Sequence, residues 1–169
     1  RANGETALDA ALPAIDWTSK LYEPASPATD RGLGQGRIVV INDAEPGDHN
    51  LIQMLEVFER SVSSPVDRID LRDLRMDGGC LGCMRCADGA ACVYRDEYEA
   101  AFEDRVKPAD VVIYAGAIRD RFFSARMKTF IDRYFSNGHR PVLAGKAVGF
   151  LVSGPLSQLD TLREVIEAH

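Results

Sequence analysis

Short apolar runs alternate along the chain with segments whose apolar residues recur every three or four positions. Arg37-Ile-Val-Val-Ile41 reads as a buried strand, and Leu51, Met54, Leu55, Phe58 and Val62 follow at helical spacing. Val66 to Leu71 alternates as a second strand. Asp96 to Val106 reads as a helix, with Asp96 and Glu99 placed as a capping box and Tyr98, Ala101, Phe102 and Val106 on one face. Val111 to Tyr114 is a third buried strand, followed by a helix with Phe123, Met127, Phe130, Ile131 and Tyr134 inward. Ala147 to Val152 is a fourth strand, and Leu159, Leu162, Val165 and Ile166 stripe a last helix. Apolar strands separated by amphipathic helices predict right-handed crossovers and an α/β fold, a doubly wound parallel sheet covered on both faces.

Such sheets bind ligands beyond the carboxyl ends of their strands, where strand order reverses. Three loops are therefore candidates, at Asn42 to Asn50, Ala115 to Ser124 and Ser153 to Gln158. Residues 1–36 differ from the rest in their recurrent prolines and small residues, and read as an arm or linker, with one short helix at Ala7 to Leu12. Residues 37–169 form the domain. The spaced Gly32, Gly34 and Gly36 precede the first strand, whereas a dinucleotide fingerprint follows it.

The 169 residues are 46% hydrophobic and carry 20 basic against 26 acidic side chains, a formal charge of −6. That balance disfavours partners recognised through phosphate charge, so neither nucleic acid nor a membrane surface is expected. No apolar run approaches the roughly 20 residues that span a bilayer, and the start lacks a signal-peptide pattern, so a cytoplasmic protein is expected.

All four cysteines fall within thirteen residues, as Cys80, Cys83, Cys86 and Cys92, spaced C-x2-C-x2-C-x5-C. Four thiolates on so short a loop suit an iron–sulfur cluster, and Gly78, Gly79, Gly82 and Gly89 let the backbone turn tightly around them. Arg75, Arg85 and Arg95 would offset the charge of a dianionic cluster. Zinc, two disulfides and four free thiols are the competing readings. Zinc sites more often use two separated C-x2-C pairs, and disulfides are rare inside cells.

The stretches GGCLGCMRCADGAACVYRDEYEAAF from Gly78, ADVVIYAGAI from Ala109 and SARMKTFIDRYF from Ser124 resemble the iron–sulfur flavoproteins and the flavodoxin-like NAD(P)H-dependent FMN reductases. The resemblance, over Arg37 to His169, implies strand order 2-1-3-4-5, bound FMN and a [4Fe-4S] cluster on the four cysteines. It also implies electron transfer between the two, a donor or acceptor such as NAD(P)H or a ferredoxin, and a homodimer or homotetramer. A flavin-dependent oxidoreductase is the expected activity. A fifth strand is not evident.

The flavin loops depart from the family pattern. The first carries Asp43, Glu45 and Asp48 where neutral or basic groups are expected, which leaves Gly47, His49 and Asn50 to meet the phosphate. In the second, the Ala117 and Ile118 amides and the Arg119 side chain are the candidates for the flavin ring, against the alternative of a charged surface loop. Ser153 and Gly154 carry over from the third loop. The acidic first loop keeps a second reading open, a flavodoxin-like module without FMN that serves as an electron relay or structural subunit. Lys128, Asp132 and Arg133 are expected to form a surface or interface ion-pair group, and Trp17, Tyr134 and Phe135 to make core or subunit contacts. The histidines are scattered, and no nucleophile, base and orienting acid stand together, so no acid–base or nucleophilic catalytic residue is assigned.

Overall fold

The computed structural model describes residues 36–87, 91–137 and 142–167. The expected arm at residues 1–36, with Trp17, lies outside the described residues except for Gly36, as does Gly89. Strand β1 (Ile38–Asn42) pairs in parallel with β2 (Val66–Asp70) on one side and with β3 (Val111–Ala117) on the other. Strand β4 (Ala147–Ser153) pairs in parallel with β3. The order β2-β1-β3-β4 is that of a flavodoxin-like sheet, and the described residues hold four strands.

Successive side chains of a strand point to opposite faces, so each strand feeds two cores. Ile38 and Val40 pack with Ile113, Ala115 and with Leu51 and Leu55 of helix α1 (His49–Ser61). Val39 and Ile41 belong to the opposite core, with Ile69, Val112 and Tyr114. That face is covered by α2 (Tyr98–Ala101), which widens into a π-helical turn through Val106, by α3 (Ala125–Arg133) and by α4 (Asp160–Glu167). All five β1 positions are buried, whereas β2, at the sheet edge, buries only Ile69 fully.

Two expectations need correction. The predicted capping box does not form as such: α2 begins at Tyr98, its N-cap Glu97 makes no side-chain cap bond, and Asp96 Oδ1 accepts from the Tyr98 amide at 3.3 Å rather than from that of Glu99. Arg133 is no surface residue either. Lys128 and Asp132 do pair in the open, but the Arg133 and Asp96 side chains are only 2% and 1% exposed. Arg133 donates Nη1 to Asp96 Oδ2 at 2.7 Å and Nη2 to Oδ1 at 3.0 Å, and Nη1 also reaches the Gly78 carbonyl at 3.3 Å. Its guanidinium lies 4.6 Å from the Tyr94 ring centre and 4.7 Å from that of Tyr98. Asp96 Oδ2 also accepts from the Asp77 amide at 2.8 Å, so both ends of the cysteine loop are tied to α3 through one ion pair. The pull of the fold overrode the local capping signal because a desolvated arginine needs a desolvated carboxylate.

Removing one partner of such a pair strands the other charge, at a cost of about 3–5 kcal/mol. Urea unfolding is expected to show a loss of that size for Arg133→Met and a smaller loss for the double variant Arg133→Met/Asp96→Leu. Burial alone would raise the Asp96 pKa, but the Arg133 and backbone hydrogen bonds and the Arg133 charge outweigh it and hold the carboxyl below its ordinary value. Its stabilisation is therefore complete above the unfolded value of about 3.9 and fades as pH falls through the lower folded value. The stability gap between the wild type and Asp96→Asn should accordingly be constant near neutrality and shrink only in acid, below about pH 4.

Candidate functional site

Three loops meet above the carboxyl ends of β1, β3 and β4. The first leaves β1 with the Asp43 amide still bonded to the Ala115 carbonyl at 2.9 Å, one step beyond the ladder. It closes on itself reciprocally: the Asp48 amide donates to the Glu45 carbonyl at 2.9 Å, and the Glu45 amide to Asp48 Oδ2 at 2.8 Å. Its carboxylates are matched by Arg119 of the β3–α3 connection and Arg126 of the first turn of α3. Arg119 pairs with Asp48 and lies 3.8 Å from Glu45, while Arg126 lies 3.5 Å from Glu45 and 3.9 Å from Asp43. The hydrogen bond and charge of Asp48 hold the Arg119 guanidinium above its ordinary pKa. Ser124 caps α3, accepting from the Arg126 and Met127 amides at 3.1 Å each, and so places Arg126 beside the first loop. The Asp43 side chain is fully buried, and neither oxygen has a hydrogen bond of good geometry. Burial raises its pKa, with Ser124 and Arg126 pulling the other way.

The eight residues singled out for flavin contacts separate into two groups. Asn50 donates Nδ2 to Ser153 Oγ at 2.9 Å, across 103 positions of sequence, and so joins the first loop to the third. The Ile118 amide donates to the Ser153 carbonyl at 2.9 Å, joining the second to the third. Gly154 has φ +134°, and a Cβ there would lie 2.9 Å from Ile118 Cβ, so the turn admits only glycine at this close approach. Gly47 and His49 are exposed on the first loop and the first turn of α1. Ala117 lies in the last position of β3, paired with Ser153 in the ladder, and the Ile118 amide is already engaged. Arg119 turns to the first loop, toward Asp48 and Glu45. Asp48 as a partner for Arg119, and Arg126, carry no local sequence signal, because the pairs form only when distant loops meet.

The cysteine connection leaves β2 at the same edge. All four cysteines are free thiols and all four line one small cavity, with Arg85 and Arg133 among its walls. The Gly82 amide donates to Cys80 Sγ at 3.4 Å, and Met84 takes a left-handed φ of 58° in the turn between Cys83 and Cys86. A Cβ on Gly78 would meet the Tyr94 hydroxyl oxygen at 2.6 Å, so a side chain there would displace the tip of that ring. Among the described residues no three His, Cys, Asp or Glu side chains stand within reach of one metal ion. The donor set itself, four unpaired thiols sharing a cavity with amide and guanidinium donors, has the chemistry of an iron–sulfur ligand set. Between the first loop and this connection runs a cleft bordered by Glu45, Arg75, Gly78, Arg119 and Arg126. No helix among the described residues is long and apolar enough to cross a membrane.

Comparison with known proteins agrees with this architecture. Residues matching an iron–sulfur flavoprotein of Archaeoglobus fulgidus are 41% identical over 73 positions, covering 43% of this chain and 33% of that protein, so the match spans a third of the relative's length. The azoreductase AzrA shares the fold with a TM-score of 0.55 at 14% identity over 78% of each chain. An azoreductase from Bacillus anthracis does so with a TM-score of 0.57 at 13% identity over 79% of each. At those identities the two structures speak for the fold alone. The sequence pattern described as NADPH-dependent FMN reductase matches residues 36–167, which takes in every strand, all three loops and the cysteine connection, and the chain therefore belongs to the NADPH-dependent FMN reductase family.

Proposed function

We propose that this chain is a flavin-dependent redox protein that holds FMN over the carboxyl ends of β1, β3 and β4 and a [4Fe-4S] cluster on Cys80, Cys83, Cys86 and Cys92. The observation that carries the reading is the emergence of three mutually bonded loops and a four-thiol cavity from one edge of a flavodoxin-like sheet. The name of the Archaeoglobus relative, iron–sulfur flavoprotein, supports pairing the two groups. When bound, the flavin supplies two-electron and the cluster one-electron chemistry.

The chain's own residues have distinct parts in this reading. Ile118, Ser153 and Gly154 form a rigid backbone floor, and Asn50 fixes the first loop against it. Arg119 and Arg126 neutralise the first loop, so that it does not repel an electron-rich ring. Arg85 and Arg133 put positive charge at the thiol cavity. NAD(P)H is the electron donor that the family's name suggests, a ferredoxin-type carrier is the one-electron partner, and the working form is a homodimer or homotetramer. The relay reading, a module without FMN, is favoured by one observation, the Asp48 carboxylate seated in the first loop.

Anaerobic reconstitution followed by iron, sulfide and flavin assay tests both. About four iron, four sulfide and one FMN per chain are expected, with iron lost on Cys83→Ala while FMN is retained. Iron and sulfide without releasable FMN would leave only the relay. FMN without iron, or iron unchanged in Cys83→Ala, would remove the cluster.

A further inference from the structure

The first loop carries an anion of its own. In flavodoxin-like sheets the flavin phosphate is received by the loop after β1, where backbone N–H groups at a helix N-terminus and any nearby cation point at the ligand. Here two donors of that loop, the Glu45 amide and the Arg119 guanidinium, already have an acceptor. Asp48 is the N-cap of α1, yet its side chain makes no bond to the helix; Oδ2 turns into the loop and accepts from the Glu45 amide at 2.8 Å. The same oxygen accepts from Arg119 Nη2, the guanidinium that pairs with the loop. The Asp48 side chain is 11% exposed and that of Arg119 36%, so the carboxylate is held within the loop while the guanidinium stays open to water. Arg126, the second cation, faces Glu45 and Asp43. Three carboxyl groups thus share two guanidinium groups, and a phosphate dianion entering the loop would compete with Asp48 for both of its donors. The other two loops meet through the Ile118 amide on the Ser153 carbonyl, and Asn50 Nδ2 donates to Ser153 Oγ.

We infer that Asp48 is a specificity-determining residue that occupies the place of the flavin phosphate, so that the site recognises the ring and ribityl chain and binds riboflavin as well as it binds FMN. The inference rests on the flavin reading of this site and adds which flavin it takes. Discrimination between ligands is a difference of affinities, and a carboxylate that already holds the loop's amide and guanidinium donors removes the advantage that FMN otherwise holds. Serine at the same N-cap keeps a helix-starting residue and frees both donors, while asparagine keeps the shape and removes the charge.

The test is equilibrium titration of the full chain with riboflavin and with FMN, followed by flavin fluorescence, for the wild type, Asp48→Ser and Asp48→Asn, with thermal unfolding of each. The wild type is expected to bind the two flavins within about threefold of each other, and at least one folded variant to tighten on FMN by about tenfold with riboflavin affinity unchanged. A wild type that prefers FMN by more than about thirtyfold, or folded variants with an unaltered FMN-to-riboflavin ratio, overturns the inference while leaving the flavin site in place. Saturable binding of neither flavin by any of the three proteins overturns the flavin reading itself and this inference with it.

Discussion

Strand β1 is the constraint on which the molecule's other features depend. Each of its five residues has a parallel partner in both β2 and β3, and all five are buried. A strand hydrogen-bonded on both edges and apolar on both faces cannot shift register without exposing one core or the other. The register sets Asn42 beside Ala115 and Asp70, so the first loop and the cysteine connection begin at one level of the sheet, while β3 runs two residues further to Ala117 before the second loop begins. The crevice between them follows from that level, at the point where the order turns from β1 outward to β2 on one side and β3 on the other.

Charge is distributed to match. The chain is acidic as a whole, but arginines stand where carboxylates leave water: Arg119 and Arg126 at the first loop, Arg133 at Asp96. A lone buried carboxylate is costly, and the guanidinium group, with several donors in one plane, can satisfy one while also meeting a carbonyl and aromatic faces. Arg133 does all of this at once, with Asp96, Gly78, Tyr94 and Tyr98. The cysteine connection is long and poor in regular structure, yet its entry at Asp77 and Gly78 and its exit at Tyr94 and Asp96 are drawn to one side chain on α3. The thiol cavity lies between those anchors.

Asp43 is the exception in this scheme. Its carboxyl is fully buried without a hydrogen bond of good geometry, and Arg126 Nη1, at 3.9 Å, also lacks one. Groups held this way at the end of a central strand beside a crevice mark the place where the fold accepts a cost that a more regular loop would avoid.

The sequence by itself determined the elements and their class. The apolar runs at Ile38–Ile41 and Val111–Tyr114 and the stripes at Leu51, Leu55, Met127 and Phe130 are local patterns, and burial of one face follows from them without knowledge of any partner. The cysteine spacing was equally legible, because a short loop keeps its thiols together whatever surrounds it. Pairings between distant segments were not legible. Asp96 carries a local capping signal, yet its partner is Arg133, 37 positions away; Asp48 looks like a poorly placed acid until Arg119, 71 positions on, is brought against it. Asn50 and Ser153 were each candidates alone, but only the parallel register of four strands set them 2.9 Å apart. The physical reason is range: hydrophobic periodicity acts over a few residues, whereas a buried charge is satisfied by whichever group the completed sheet delivers, and only the tertiary structure decides which that is.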